Sequence, residues 1–465
     1  MALAILTLGA ALAACGGPGS TGRASPSPRA PGTGSYSPSP SKATGLTAAW
    51  PTYHLNTRRT GASPDTPRPT SPEVAWQKVL DGSVYGEPLD VGGMVIVATE
   101  NDSVYALDPG SGSVLWRTHV GTPVPQGDLP CGDIFPLGIT GTPAFDPVSQ
   151  TVFAVAEESG PVHVLYALDA ATGAVRWSRR VDIQIASENP AAVQQRPALA
   201  VANGYVYIGF GGLDGDCAQY RGAVVAVPTT DSGPTLQYVV PTTREGAVWA
   251  TGGPVVGPGG TVFVSTGNGA ATANPWDHSD SVLELSPTLG LISAFAPSSW
   301  AFDNQHDLDL GSVAPTLLPD GEVFIAGKGG TGYVLRQTAL GGVGGELASG
   351  PTCGGEMAFG GTSFYSDTVY LPCQNGVEAI AVASSGSFSV LWQTSTGANG
   401  PPVLGGGCVW SVDTDSGVLY ALDRVTGATI ERVAIGSVPH FSSPTLVGSR
   451  AFVGTDQGVT AVFGV

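Results

Sequence analysis

One phrase occurs three times in this chain, and that repetition limits its possible folds more than any other feature. VYALDPGSGSVLW at 104–116 returns as LYALDAATGAVRW at 165–177, and as LYALDRVTGATIE at 419–431, where Glu replaces the Trp. Each copy reads as a strand ending at Asp, a turn closed by Gly, and a second strand. A unit this small cannot bury its apolar face alone, so copies must stack on one another.

Aligning the chain from Trp50 onward to this phrase gives seven full units, at 87–121, 141–182, 195–240, 252–297, 313–348, 361–397 and 400–436. A remnant at 442–465 holds three strands (SSPTLV, RAFVGT and GVTAVF) and lacks a fourth. The missing strand is found at the other end, where EVAWQKVL at 73–80 carries Trp76 before any unit has begun. A sheet that takes its last strand from the opposite terminus closes a ring and leaves only short edges. The expected fold is all-β, an eight-bladed β-propeller closed by an N-terminal strand. An array of β-sandwiches would not explain the complementary ends.

The phrase itself reads as packing. Asp108, Asp169 and Asp423 end a strand, where a carboxylate accepts hydrogen bonds from turn amides. Gly112, Gly173 and Gly427 fall where the turn needs positive φ. Trp116, Trp177 and Trp392 are expected to lie against the adjacent blade.

Composition agrees with a turn-rich β protein: 67 Gly, 38 Pro and 42% hydrophobic residues. A net charge of −18 argues against nucleic acid or an anionic membrane surface as an electrostatic partner.

The first 14 residues are short and apolar, and Leu12-Ala13-Ala14-Cys15 is similar to a bacterial lipobox. The resulting division is a signal peptide at 1–15, a disordered Gly/Pro/Ser-rich tether at 16–49, and a propeller at 50–465. Lipid on Cys15 would anchor the exported protein at the outer face of the cytoplasmic membrane. Of six cysteines, five then remain. An oxidising compartment permits disulfides. Cys353 and Cys373 flank a hairpin-like stretch, and Cys131 with Cys217 would tie neighbouring repeats. No Cys-x-x-Cys occurs, against a zinc ribbon.

The Ala-Leu-Asp-x-x-x-Gly-x-x-x-Trp phrase resembles that of the quinoprotein, or pyrroloquinoline-quinone-like, β-propellers, over about 50–465. The resemblance is strong for fold and weak for activity. Some relatives are quinone-dependent alcohol dehydrogenases, and others are lipoprotein scaffolds in protein assembly. Several segments resemble the enzyme branch. Trp249, in Val248-Trp249 before GGPVV, matches the Trp that stacks on the quinone, and Asn268 in TVFVSTGN matches a calcium ligand. Asp307-Leu308-Asp309-Leu310-Gly311 resembles the stretch carrying the catalytic Asp, with Asp309 better placed than Asp307. Lys328 in FIAGKGGTGYVL lies where those enzymes set a basic residue against the quinone. The implied cofactors are pyrroloquinoline quinone and calcium; a pure scaffold would need neither. The chain departs from the enzyme pattern at three points. It shows no matching calcium-ligand Glu and no vicinal cysteine pair, and it reads Trp300-Ala301 where Trp-Asp is expected.

Other signatures fail. There is no Gly-x-Ser-x-Gly and no His-Glu-x-x-His. Gly327-Lys-Gly-Gly-Thr-Gly332 matches Gly-x-Gly-x-x-Gly but leads into YVLR, a strand, so no helix N-terminus awaits a phosphate. The six histidines show no paired metal spacing and are expected at the surface, and Asp277, His278 and Asp280 are read as one solvated loop. The first functional expectation is a surface-tethered scaffold that binds an unidentified protein or small molecule. The alternative is a calcium- and quinone-dependent dehydrogenase acting on an alcohol or a polymeric alcohol.

Overall fold

The computed structural model describes residues 45–185 and 189–465. The lipobox, Cys15 and the tether up to residue 44 lie outside the described residues. The described chain forms eight sheets, an eight-bladed β-propeller.

Blade 1 shows the plan, with strands Leu89–Val91, Met94–Thr99, Ser103–Leu107 and Val114–His119 in order from the inside outward. Its first three strands are almost wholly buried, so they read as continuous apolar runs such as MVIVAT. The outermost strand, VLWRTH, alternates exposed and half-buried residues, because only one of its faces meets a neighbour. Blade 8 has three strands of its own, and Glu73–Val79 pairs antiparallel with Gly458–Phe463 to complete it. The ring is therefore closed as the complementary ends require.

The repeated phrase packs as its chemistry dictates. Asp108 Oδ1 accepts from the Gly110 and Ser111 amides at 3.1 and 2.8 Å, and Asp169 and Asp423 do the same in their turns. Gly173 has φ 73°, and a Cβ there would lie 2.4 Å from the Trp116 ring. Glycine is thus required twice over, by the left-handed turn and by the indole of the preceding blade. Trp76 sits in the same way on Gly112, and Trp392 on Gly427. Their indoles donate to the carbonyls of Pro109 and Arg424, both at 3.2 Å.

Both expected disulfides are present, Cys131 with Cys217 and Cys353 with Cys373, and Cys408 is free and buried. The fifth unit needs a boundary correction. Its outer strand is Ala348–Pro351, so the expected limit of 348 stops where that strand begins. The displacement arises because Gly342–Val343 leaves the unit to pair in parallel with Leu291–Ala296 of blade 4.

The repeat pattern marks the segment before the first blade only as the start of the domain, and the structure gives it a larger part. Residues 45–49, ahead of Trp50, already lie against blade 1, where Gly92 N donates to Thr47 O at 2.6 Å. Residues 50–62 then bond in turn to the inner strands or their approaches. The contacts run from Trp50 to Asp90, Pro51 to Phe145, Thr52 to Leu199, Thr57 to Val256, Arg58 to Leu317, Thr60 to Phe364 and Gly61 to Leu404. His54 completes the circuit through Ser443 at 3.0 Å. One short segment thus laces all eight blades along the channel. His54 and His163 are buried, contrary to the surface expectation. Each finds carboxylate partners, Glu87 for His54, and Glu157 and Asp182 of its own blade for His163.

Candidate functional site

Loops at the ends of the strands of blades 3, 4 and 5 bring the expected site residues into one cleft. Trp249, Asn268, Asp309 and Lys328 line it together. Trp249 enters on the loop before the inner strand of blade 4, and Asn268 follows that blade's second strand, Val262–Thr266. Asp307 caps the helix Trp300–His306, and Asp309 precedes blade 5. Lys328 follows the second strand of that blade, Glu322–Ala326.

The contacts are polar and close. Lys328 Nζ lies 2.6 Å from Asp309 Oδ2, 2.7 Å from Asp307 Oδ1 and 5.5 Å from the centre of the Trp249 ring. Asp309 Oδ1 accepts from the Asn268 amide at 2.7 Å, and Asn268 Nδ2 donates to Asp307 Oδ1 at 2.8 Å. Gly267 lets this happen, since a Cβ there would come within 2.2 Å of Asp309 Oδ1. Phe359 and Phe441 stand 6.5 and 6.4 Å from Trp249 and make an aromatic wall.

Electrostatics follow from burial. Burial raises the pKa of Asp309, and the Lys328 ammonium offsets part of that rise. For Lys328 burial works the other way, but the Asp309 and Asp307 carboxylates outweigh it and hold its pKa above the ordinary value. Lys328 is therefore charged at neutral pH. Asp280 lies behind it, fully buried, with its Oδ1 accepting from the Leu310 amide at 3.1 Å. Burial, then the Asp309 charge, push Asp280 well above the carboxylate range. The solvated-loop reading of Asp280 is thus corrected: the loop folds inward and the residue becomes part of the wall behind the cleft.

Four further cleft residues carry no assignment from the sequence: Arg196, Asp214, Asp216 and Tyr220. The acidic pair sits in a Gly-rich loop, LDGD, directly after the strand Tyr205–Gly212. Cys131 fixes that loop through its disulfide to Cys217. Acids flanking glycines just past a strand end are the available signal. The Gly-x-Gly-x-x-Gly match leads into the strand Thr331–Arg336, as expected. Its first glycine is needed for close approach to the Asp309 carbonyl, which a Cβ would meet at 2.3 Å.

The donor set fits the groups that the resemblance implies. Asn268 Oδ1 is buried with no hydrogen-bond partner, beside two carboxylates. Such hard oxygen donors suit calcium. Among the described residues no three His, Cys, Asp or Glu side chains are grouped to hold a metal without help from other donors. The indole face beside an ammonium suits a planar anion.

Known proteins share this architecture. Residues 73–288 match the family model described as outer membrane protein assembly factor BamB. The polyvinylalcohol dehydrogenase of Sphingopyxis sp. (strain 113P3) is 23% identical over 83% of this chain, and the chain spans 66% of that protein's length. Among solved structures, the quinohemoprotein alcohol dehydrogenase from Comamonas testosteroni superposes with a TM-score of 0.66 at 17% identity, covering 89% of this chain and 80% of that one. BamB from Moraxella catarrhalis gives a TM-score of 0.56 at 16% identity, covering 85% of this chain and 98% of that one. A closed ring of eight blades, six of four strands and two of five, defines the class as a β-propeller with the fold of those quinoprotein structures. The chain is thus similar to the pyrroloquinoline-quinone-like β-propellers, in fold over most of its length and in sequence over residues 73–288.

Proposed function

We propose that the cleft binds a planar, carboxylate-bearing quinone against Trp249 and oxidises an alcohol hydroxyl. The observation that carries this reading is the convergence of Trp249, Asn268, Asp309 and Lys328, from separate loops, on one cleft. Trp249 would supply the stacking face and Lys328 the charge against the quinone oxygens. Asn268 Oδ1 and the Asp309 carboxylate would hold calcium. A bound quinone supplies the hydride acceptor. Asp309 takes the hydroxyl proton, and Lys328 favours its ionised form. Phe359 and Phe441 keep water from the Trp249 side. The polyvinylalcohol dehydrogenase relative supports an alcohol or polymeric alcohol as the substrate class. Two disulfides support an extracytoplasmic setting, where a lipid on Cys15 would tether the domain to the membrane.

The test is reconstitution of the purified domain with calcium and pyrroloquinoline quinone, followed by dye-linked oxidation of short and polymeric alcohols. Turnover that needs both additions is expected, and its absence at saturating quinone removes the enzyme reading. A second reading, a binding scaffold, draws on the assembly-factor family match and on Lys328, which is already paired with Asp307 and Asp309. Tight quinone binding without turnover would favour it.

A further inference from the structure

One slot between neighbouring blades is built twice in this molecule, with opposite solutions to its charge. In blade 2 the slot holds Glu157 and His163, paired across the second and third strands. Glu157 Oε1 accepts from the amide of Gln195, on the approach to blade 3, at 2.6 Å. The His163 carbonyl accepts from Val181 N at 2.9 Å. In blade 1, Glu100 Oε2 accepts from the amide of Gly138, on the approach to blade 2, at 2.7 Å. The Asp102 carbonyl accepts from Val120 N at 2.8 Å. Glu100 therefore stands where Glu157 stands, and Asp102 where His163 stands.

The blade 2 slot has its own cation. His163 Nδ1 lies 2.9 Å from Asp182 Oδ1, and Nε2 lies 3.5 Å from Glu157 Oε2. Burial opposes its charge, but the two carboxylates outweigh burial and push the imidazole up to about 9. Blade 1 has no counterpart to that base. Asp102 is 0% exposed and neither of its oxygens has a hydrogen-bond partner; Glu100 is 3% exposed and its Oε1 has none. The two side chains converge on Gly138, whose amide binds Glu100 and where a Cβ would lie 2.8 Å from Asp102 Oδ1. Glu157, Glu158 and Asp81 add negative charge around Asp102, and Arg196 acts only from beyond Glu100. Buried carboxylates without a partner are unfavourable, so the slot wants either protons or a cation.

We propose that the blade 1 slot is a calcium site, with Asp102 and Glu100 as its carboxylate ligands. The ion would do for these two acids what the His163 imidazolium does one blade further on. Calcium takes hard oxygen donors in flexible geometry and fills its remaining positions with water or backbone carbonyls, so two carboxylates suffice as anchors. Without a cation, burial and the neighbouring acids push Asp102 up to about 9 and Glu100 up to about 8.

The test uses the purified chain stripped with chelator and titrated with calcium alone, without quinone, followed by calorimetry and thermal melting. Calcium is expected to bind and to raise Tm by a few degrees. Asn268→Ala, which alters only the cleft, keeps this response, and Asp102→Asn loses it. Asp102→His sets an imidazole beside Glu100 as His163 stands beside Glu157, with Gly121 where blade 2 has Asp182; it should fold, ignore calcium, and in chelator be more stable than the parent. A parent that shows no calcium response overturns the proposal. So does an Asp102→Asn protein that binds the same number of ions with the same shift. Failure of quinone to bind the cleft bears on neither outcome.

Discussion

Blades 1 and 2 and blades 4 and 5 share one strand plan but differ in their loops. In the first pair the turn after the third strand is Asp, small residues and Gly, with the indole of the preceding blade lying on that Gly. In the second pair the phrase has decayed, blade 4 gains a fifth strand, and the loops carry Trp249, Asn268, Asp309 and Lys328 into a cleft. Where the repeat is strict, side chains serve the ring. Where it is loose, the loops bring Asp309, Lys328 and an indole face together at an open cleft, which favours a ligand over stability. The regular arc and the lacing segment 50–62 together make that looseness tolerable.

Substitutions should separate the two arcs by their readouts. The largest expected effect is at Asp309: Asp309→Asn in the reconstituted enzyme lowers kcat by about 10²- to 10⁴-fold, with unchanged circular dichroism. Trp116→Ala does the reverse. It destabilises by about 3 kcal/mol in urea unfolding while turnover per folded molecule stays at the parent value. Between these arcs lies the pH response of the blade 2 slot. The folded-state pKa of His163 is raised to about 9 from 6.5, so its stabilisation is complete below about 6.5 and is lost as pH rises through 9. Melting temperature should fall across that window in the parent, and the fall should flatten in His163→Gln. Gly173→Ala is expected to cost about 1 to 2 kcal/mol, since both φ and the Trp116 contact oppose a Cβ.

The arcs also differ in how legible each is in the amino-acid sequence. Turn chemistry is local, so Asp108, Gly112 and Trp116 announce their packing within 13 residues of sequence, and the Trp76 strand announces closure by what the C-terminus lacks. Trp249, Asn268, Asp309 and Lys328 are legible through resemblance to a family. Arg196, Asp214, Asp216 and Asp280 are not, because their place in the cleft depends on which loops the ring brings together. The lacing segment is hidden for a related reason: it has no period of its own and bonds to a different blade every few residues. The burial of His54 is concealed in the same way, since its carboxylate partner and its Ser443 contact lie far off in sequence.

The central claim is that quinone binding resides in the loosened arc, and calorimetric titration of pyrroloquinoline quinone in calcium tests it most directly. The account predicts saturable one-to-one binding by the parent and by Trp116→Ala at a temperature where that variant is folded, and loss of binding in Trp249→Ala. No saturable binding by the parent, or equal losses in the two Trp variants, would contradict it.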